Sequence, residues 1–258
     1  MKRANSGEVA VITGASSGIG REIALVLDSV GYDTVLVARR MDRLLALSER
    51  MKNNTTIICA DLSEQSECER VFEEVCDENV QIMVNCAGFG AVGSFSELPL
   101  ERELQMIDVN VKAVHILTKL FLKKFKEQGS GRILNVASVA GLMPGGPLMA
   151  TYYATKAYVC SLTESIAAEL KSEKSPVTVS ALCPGPVDTE FCDVAGAGFA
   201  MKGLTPKECA MYAVMETLKG KTIIIPPSVM KAARTASRFV PSAVTLSVIS
   251  KYQNKKLN

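Results

Sequence analysis

Short apolar runs alternate along the chain with segments in which apolar residues recur every three to four positions. The runs are rich in Val and Ile, as expected of strands buried on both faces of a parallel sheet. We predict strands over residues 9–13, 34–38, 56–60, 82–85, 132–137, 177–183 and 221–226. We predict helices over residues 19–30, 41–52, 64–77, 100–128, 152–172 and 206–219. This alternation predicts an α/β fold, a doubly wound parallel sheet of about seven strands in a single domain spanning residues 1–258.

The first predicted strand ends in a glycine-rich turn that leads directly into the first predicted helix. The turn reads T-G-x-x-x-G-I-G and contains Gly14, Ser16, Ser17, Gly18, Ile19 and Gly20. Glycine lets the backbone turn sharply and approach a pyrophosphate, and free N–H groups at a helix start receive negative charge. The position of the turn between strand and helix therefore predicts a dinucleotide-binding site.

Tyr152 and Lys156 stand one helical turn apart in the fifth predicted helix. Positions i and i+4 share a helix face, and an ammonium beside a phenol favours the phenolate. We therefore expect Lys156 to lower the pKa of Tyr152 from its ordinary value near ~10. Tyr153 points about 100° away from that face, so we assign it to packing or to the rim of a substrate site.

The glycine turn and the Y-x-x-x-K motif, with other motifs in the same order, resemble the short-chain dehydrogenase/reductase family from about Glu8 to about Thr189. The other matching segments are Asp61-Leu62-Ser63, Asn85-Cys86-Ala87-Gly88, Asp108-Val109-Asn110-Val111, Ser138 at the end of a strand, and Pro184-Gly185-Pro186-Val187-Asp188-Thr189. Cys86 departs from the usual N-N-A-G, which concerns only local packing. The resemblance implies a Rossmann-type fold.

The resemblance also implies a catalytic set, which is Asn110, Ser138, Tyr152 and Lys156. Tyr152 would be the general acid for carbonyl reduction and the general base for alcohol oxidation. Ser138 would donate a hydrogen bond to the substrate oxygen, and Lys156 would also hold the nicotinamide ribose. Asn110 would hold a water that links Lys156 to solvent.

The same resemblance places a nicotinamide dinucleotide along the motifs. Asp61 and Leu62 would flank the adenine, and the adjoining ribose would lie against Asn85, Ala87 and Gly88. The nicotinamide would lie against Pro184, Gly185, Val187 and Thr189. Tyr152 and Lys156 would contact the cofactor as well.

Arg39 and Arg40 follow the second predicted strand, and no acidic residue appears before Asp42. NAD-preferring folds usually place an acid there for the ribose 2′-OH, whereas guanidinium groups suit a 2′-phosphate. We therefore predict NADP as the cofactor, with Arg39 as the more direct contact. The alternative is that both arginines are solvated residues before a helix.

Two classes of function remain open. One is an NADP-dependent oxidoreductase that interconverts a ketone and a secondary alcohol, and the other is a non-catalytic NADP-binding regulator. The complete catalytic set favours the enzyme. The expected pocket loops, 141–151 and 190–203, are mostly small or apolar, which suggests a bulky apolar substrate such as a steroid or fatty acyl group. By resemblance, residues 192–203 would be a substrate lid, although an ordinary surface loop fits as well.

The C-terminal segment 228–258 predicts a basic, amphipathic helical tail broken at Pro241. It could cover the substrate pocket, pair with another subunit or lie on a membrane surface. A helix packed on the domain is the simplest interpretation. Before the tail, residues 221–227 stand where many family members have a strand and a V-D-G-G turn that supports tetramer contacts.

We predict a homodimer formed partly by helices 100–128 and 152–172, through which the family often pairs. The apolar positions proposed for this interface are Ile116, Leu117, Leu120, Phe121, Tyr158, Val159, Leu162 and Ile166. Each helix carries more apolar positions than one sheet face was expected to cover.

Composition narrows the function classes. The net charge is +2 and there is no tryptophan, so neither a polyanion partner nor a nucleic-acid stacking platform is indicated. The eight cysteines form no C-x-x-C pair and there is one histidine, so no zinc site is predicted. Without an apolar signal core after the basic start, the cysteines predict reduced thiols in the cytoplasm.

Overall fold

The computed structural model describes residues 7–195, 203–226 and 241–254. They form a seven-stranded parallel sheet, which confirms the predicted fold class. The strands are β1 (Val9–Thr13), β2 (Asp33–Ala38), β3 (Thr55–Cys59), β4 (Val80–Asn85), β5 (Arg132–Val136), β6 (Thr178–Leu182) and β7 (Ile223–Ile224). Their order is β3-β2-β1-β4-β5-β6-β7. The order reverses at β1 and β4, and such a switch point opens a crevice at the carboxyl ends of the strands.

Helices cover both faces of the sheet. They are α1 (Gly18–Ser29), α2 (Met41–Ser48), α3 (Gln65–Glu73), α4 (Leu100–Ile107), α5 (Val114–Gln128), α6 (Ala150–Ser172), α7 (Phe191–Ala195), α8 (Pro206–Leu218) and α9 (Ser242–Asn254). One buried core contains residues of α1, α2 and α8, and a second contains residues of α3, α5 and α6. Strand β1 contributes residues to both cores, because Ala10 and Ile12 face the first core while Val9 and Val11 face the second.

The helix predicted over residues 100–128 is interrupted. A π-helical segment, Asp108–Ala113, separates α4 from α5. Its buried residue Asn110 accepts a hydrogen bond from the Phe89 N–H and donates one to the Phe89 carbonyl. Segments of this kind occur often at functional sites. Apolar periodicity does not reveal the interruption, because a π-helical segment changes the backbone hydrogen-bond spacing without ending the helical run.

The C-terminal tail is described only in part. α9 begins directly after Pro241, which agrees with the predicted break at that proline. The predicted lid lies partly outside the described residues, at 196–202, and so do the basic residues Arg234, Arg238, Lys255 and Lys256. Within residues 7–195, 203–226 and 241–254, no helix combines the length and apolar character needed to cross a bilayer.

Candidate active site

The glycine turn brings the start of α1 against the ends of β1 and β4. Gly14 has a φ of +68°, and a Cβ there would lie 2.8 Å from the Ala87 nitrogen. A Cβ on Gly20 would lie 2.4 Å from the Gly14 carbonyl oxygen. Ser17 caps α1 without a side-chain hydrogen bond, and the first turn contains no acid. The first N–H groups of α1 therefore remain available for an anion, as a dinucleotide site requires.

A cleft of about 610 Å³ follows the carboxyl edge of the sheet. It brings together most of the residues selected from the sequence. Its wall includes Gly14, Ser16, Ser17, Gly18, Ile19, Gly20, Arg39, Arg40, Asp61, Leu62, Ala87, Gly88, Ser138, Tyr152, Lys156, Pro184, Gly185, Val187 and Thr189. Asn85 and Asn110 are the two selected residues that do not line it.

The Asn85 side chain faces the protein interior rather than the cleft, and its predicted contact with the cofactor ribose stays a prediction. Its Nδ2 donates to Asn135 Oδ1 at 2.8 Å and to Thr118 Oγ1 at 3.1 Å. Asn135 Nδ2 in turn donates to Thr163 Oγ1 at 3.0 Å. This buried network joins β4 and β5 to α5 and α6, so Asn85 positions the strands beneath the site.

Asn110 is fully buried and acts on the backbone around the site. Besides its two hydrogen bonds to Phe89, its Nδ2 donates to Thr155 Oγ1 at 3.2 Å. It therefore fixes the loop after β4 against α6, one residue before Lys156. This is a positioning role, and the predicted water-holding role stays a prediction.

Ser138, Tyr152 and Lys156 meet at the centre of the cleft. Lys156 is buried, and its Nζ donates to the Val136 carbonyl at 2.9 Å. The same Nζ lies 5.9 Å from the centroid of the Tyr152 ring. Ser138 Oγ accepts a hydrogen bond from the Ala140 N–H at 3.1 Å, which fixes the serine beside the tyrosine.

Burial has the largest effect on the pKa values of Tyr152 and Lys156. The expected lowering of the Tyr152 pKa by Lys156 is therefore wrong for this chain without a bound cofactor. Burial raises the pKa of Tyr152 to about 12, although the hydrogen bond with Ser138 acts in the opposite direction. Burial also lowers the pKa of Lys156 to about 8. The reason is that Lys156 Nζ lies beside the ring face and bonds to Val136, so it does not offset the desolvation of the phenol. At neutral pH Tyr152 keeps its proton and Lys156 its charge.

The arginines after β2 differ in their contacts. Arg40 donates to Ser16 Oγ at 3.1 Å and to Ser17 Oγ at 2.9 Å, so it lies directly against the glycine turn. Arg39 instead lies 3.6 Å from a carboxylate oxygen of Asp61. These contacts favour Arg40 over Arg39 as the cation closest to the turn.

The sequence interpretation assigned two charged residues no role at this end of the cleft, although Glu190 begins the expected pocket loop 190–203. Glu190 pairs with Arg40 at 3.0 Å and also with Arg43. Arg43 could have been suspected from sequence, because it stands three residues after Arg40 at the start of α2. Glu190 could not, because it stands 147 positions after Arg43, the nearer of its two partners in the chain.

Apolar side chains surround the other end of the cleft, beyond Tyr152. The Phe191 ring lies 5.3 Å from the Tyr152 ring, centroid to centroid. Tyr153 also lines the wall, which agrees with its assignment to the rim. Val248 and Ile249 of α9 complete the wall, so the C-terminal tail covers this part of the cleft.

The model of the short chain dehydrogenase family matches residues 8–197. The chain belongs to that family and is an oxidoreductase of the short-chain dehydrogenase type. The 3-oxoacyl-[acyl-carrier-protein] reductase FabG of Rickettsia bellii is 34% identical to it over 188 residues, which cover 73% of this chain and 76% of that protein.

Two solved structures share the fold. A short-chain dehydrogenase from Sphingobium yanoikuyae in complex with NADPH has a TM-score of 0.80 at 28% identity, covering 90% of this chain and 94% of the other. A short-chain dehydrogenase/reductase from Burkholderia phymatum in complex with NAD has a TM-score of 0.82 at 25% identity, covering 90% and 92%. Both nicotinamide cofactors thus occur among its structural relatives.

Proposed function

We propose that the chain is an NADP-dependent oxidoreductase that interconverts a ketone and a secondary alcohol. The observation that carries the proposal is the meeting of Ser138, Tyr152 and Lys156 in the cleft that the glycine turn also lines. The turn fits a dinucleotide because its glycines leave no Cβ in the cradle and the start of α1 offers N–H groups. When bound, the nicotinamide supplies the hydride.

Three side chains of the protein carry out the remaining steps of the proposed reaction. In reduction, Tyr152 gives its phenolic proton to the carbonyl oxygen. Burial keeps the phenol protonated at neutral pH, and the hydrogen bond with Ser138 acts against burial and makes the phenol a stronger acid. Lys156 holds its charge beside the ring of the phenolate that remains, although that charge does not outweigh burial. Ser138 donates a hydrogen bond to the substrate oxygen as negative charge develops there. In oxidation the same proton returns to Tyr152.

We further propose a bulky apolar substrate. The wall around and beyond Tyr152 includes Phe89, Met143, Met149, Phe191 and Val248. Asp61 and Glu190 are the acidic residues of the described cleft wall, and both pair with arginines at the opposite end. The described part of the reacting region therefore offers apolar contact and no carboxylate.

A panel of ketones assayed with NADPH tests this preference. We expect steroid and long-chain β-keto ester substrates to have higher kcat/KM than small ketones such as acetone. Val248→Asp should raise KM for the apolar ketones, because Val248 belongs to the cleft wall. The matched control is Val244→Asp, on the same helix and 53% exposed against 64% for Val248. Equal KM changes in both variants would contradict the role of α9.

We also propose a homodimer, with a corrected interface. Leu117, Phe121 and Val159 are buried in the core, because α5 and α6 pack those positions directly on the sheet. The apolar side chains left exposed near α6 are Phe95, Leu104, Ile107 and Tyr158. Phe95, Ile107 and Tyr158 line one shallow groove, which supports pairing at this face.

Sedimentation equilibrium at micromolar concentration tests the pairing. We expect a dimer for the wild type and dissociation for Ile107→Asp, because a carboxylate would be desolvated in the interface. Met211→Asp is the control, since Met211 lies on α8 with similar exposure, 47% against 41% for Ile107. A monomeric wild type, or dissociation by Met211→Asp alone, would refute this interface.

A cytoplasmic location remains part of the proposal, supported by the free thiols of Cys59, Cys68, Cys76, Cys86 and Cys209.

A further inference from the structure

Glu190 closes one end of the cofactor cleft through contacts that cross the sheet. It follows the P-G motif after β6, whereas Arg40 and Arg43 follow β2. Three strands, β1, β4 and β5, lie between β2 and β6. Strands are ~4.8 Å apart, so the ends of β2 and β6 are about 19 Å apart. The segment after β6 must therefore fold back over the glycine turn for the ion pairs to form.

The surroundings of the Glu190 carboxylate have the composition of an anion site. Arg40 contacts it at 3.0 Å while also donating to Ser16 and Ser17, and Arg43 contacts it from α2. Thr189 lies against the start of α1, because a Cβ on Gly18 would be 3.1 Å from its Cγ2. The two arginines lower the pKa of Glu190, so it is ionised at neutral pH. Two guanidinium groups thus converge where a carboxylate now sits, and two serine hydroxyls bond to one of them.

We propose that Glu190 occupies the anion site that the 2′-phosphate of NADP takes, so that the phosphate must displace the carboxylate to bind. This rests on the proposed NADP dependence. A phosphate and a carboxylate cannot share Arg40 and Arg43 without strong repulsion, and the phosphate carries the greater charge. Glu190 is therefore a specificity-determining residue that weakens the binding of every 2′-phosphorylated nucleotide.

Displacement of the Glu190 carboxylate also affects the substrate end of the cleft. Glu190 directly precedes α7, and Phe191 packs on the Tyr152 ring and against Gly90. Release of Glu190 removes the contact that ties this short helix to the β2 side of the cleft. The hydrogen bonds from the Val92 N–H to the Ala195 carbonyl and from Arg102 to the Val194 carbonyl would still hold the helix from the other side.

Isothermal titration calorimetry on the full chain tests the competition without any turnover. The probes are adenosine 2′,5′-bisphosphate and adenosine 5′-monophosphate, which differ by the 2′-phosphate alone. We expect Glu190→Gln to bind the bisphosphate about two- to thirty-fold more tightly than the wild type, the range that two exposed ion pairs imply. Its affinity for the monophosphate should stay within about two-fold of wild type, since that probe has no group that competes with Glu190.

The control is Glu216→Gln. Its carboxylate also bridges two cations, Lys219 and Lys221, but it lies on α8 outside the cleft wall. It should leave both affinities unchanged. Unchanged or weaker bisphosphate binding by Glu190→Gln, or equal tightening for both probes, would overturn the inference. A wild type that binds both probes equally would instead refute the NADP proposal itself, so the two failures are distinguishable.

Discussion

Tyr152→Phe is expected to lower kcat/KM for ketone reduction by about 10²- to 10⁴-fold, the usual contribution of a positioned general acid. The substitution removes only the hydroxyl, and the aromatic contact with Phe191 remains possible. Cofactor affinity, measured by fluorescence titration with NADPH, should therefore change little. The loss should appear mainly in kcat, because the proton is transferred only in the chemical step.

Tyr153→Phe is the matched control for this effect. Tyr153 is the next residue on α6, lines the same cleft and contacts the Tyr152 ring edge-on at 6.3 Å between centroids. It should keep most of the activity, because its hydroxyl has no part in the proposed proton transfer. An inactive Tyr153→Phe beside an active Tyr152→Phe would mean that the catalytic tyrosine is assigned wrongly.

Arg40→Ala is expected to weaken NADP(H) binding by about ten- to 150-fold and NAD(H) binding far less. Hydrogen bonds to charged groups contribute about 1.5–3 kcal/mol, and each 1.4 kcal/mol is a factor of ten. The wild type should prefer NADP(H) at least about ten-fold for the same reason. Dissociation constants for both cofactors, measured by calorimetry, provide the comparison.

Comparison of Arg39→Ala with Arg40→Ala distinguishes how much each arginine contributes to the binding of the cofactor. Arg39 pairs with Asp61, whereas Arg40 lies on the glycine turn, so Arg40→Ala should cause the larger loss. Arg21→Ala serves as a control, because Arg21 pairs with Glu22 on α1 and does not line the cleft. If the wild type bound both cofactors equally, or if Arg39→Ala and Arg40→Ala affected NAD(H) as much as NADP(H), the assignment of the 2′-phosphate site would be wrong.

Strands β1, β2, β4, β5 and β6 were predictable because both of their faces are almost fully buried, which favours apolar residues along the whole run. β1 has the predicted bounds for this reason. β7 is much shorter than the predicted 221–226, because only Ile223 and Ile224 find partners on β6. An apolar run reveals burial but not the length over which a neighbouring strand is available for pairing.

Side-chain direction within a motif was less predictable. Asn85, Ala87 and Gly88 belong to one motif, yet Asn85 pairs across the sheet with Asn135 while the other two reach the cleft. The register between β4 and β5 sets that direction, and register is a long-range property. The same limit applies to Glu190, whose contacts depend on the segment after β6 folding back over the glycine turn to reach Arg40 and Arg43.

Hydride transfer from the cofactor to a ketone carbon is the step on which the proposed function depends. Its most direct test uses NADPH that carries deuterium at the transferable position of the nicotinamide, with mass spectrometry of the products from a panel of bulky ketones. We expect deuterium at the carbinol carbon with the wild type and almost none with Tyr152→Phe. Tight NADPH binding without transfer to any ketone would contradict the enzyme and favour the non-catalytic NADP-binding regulator.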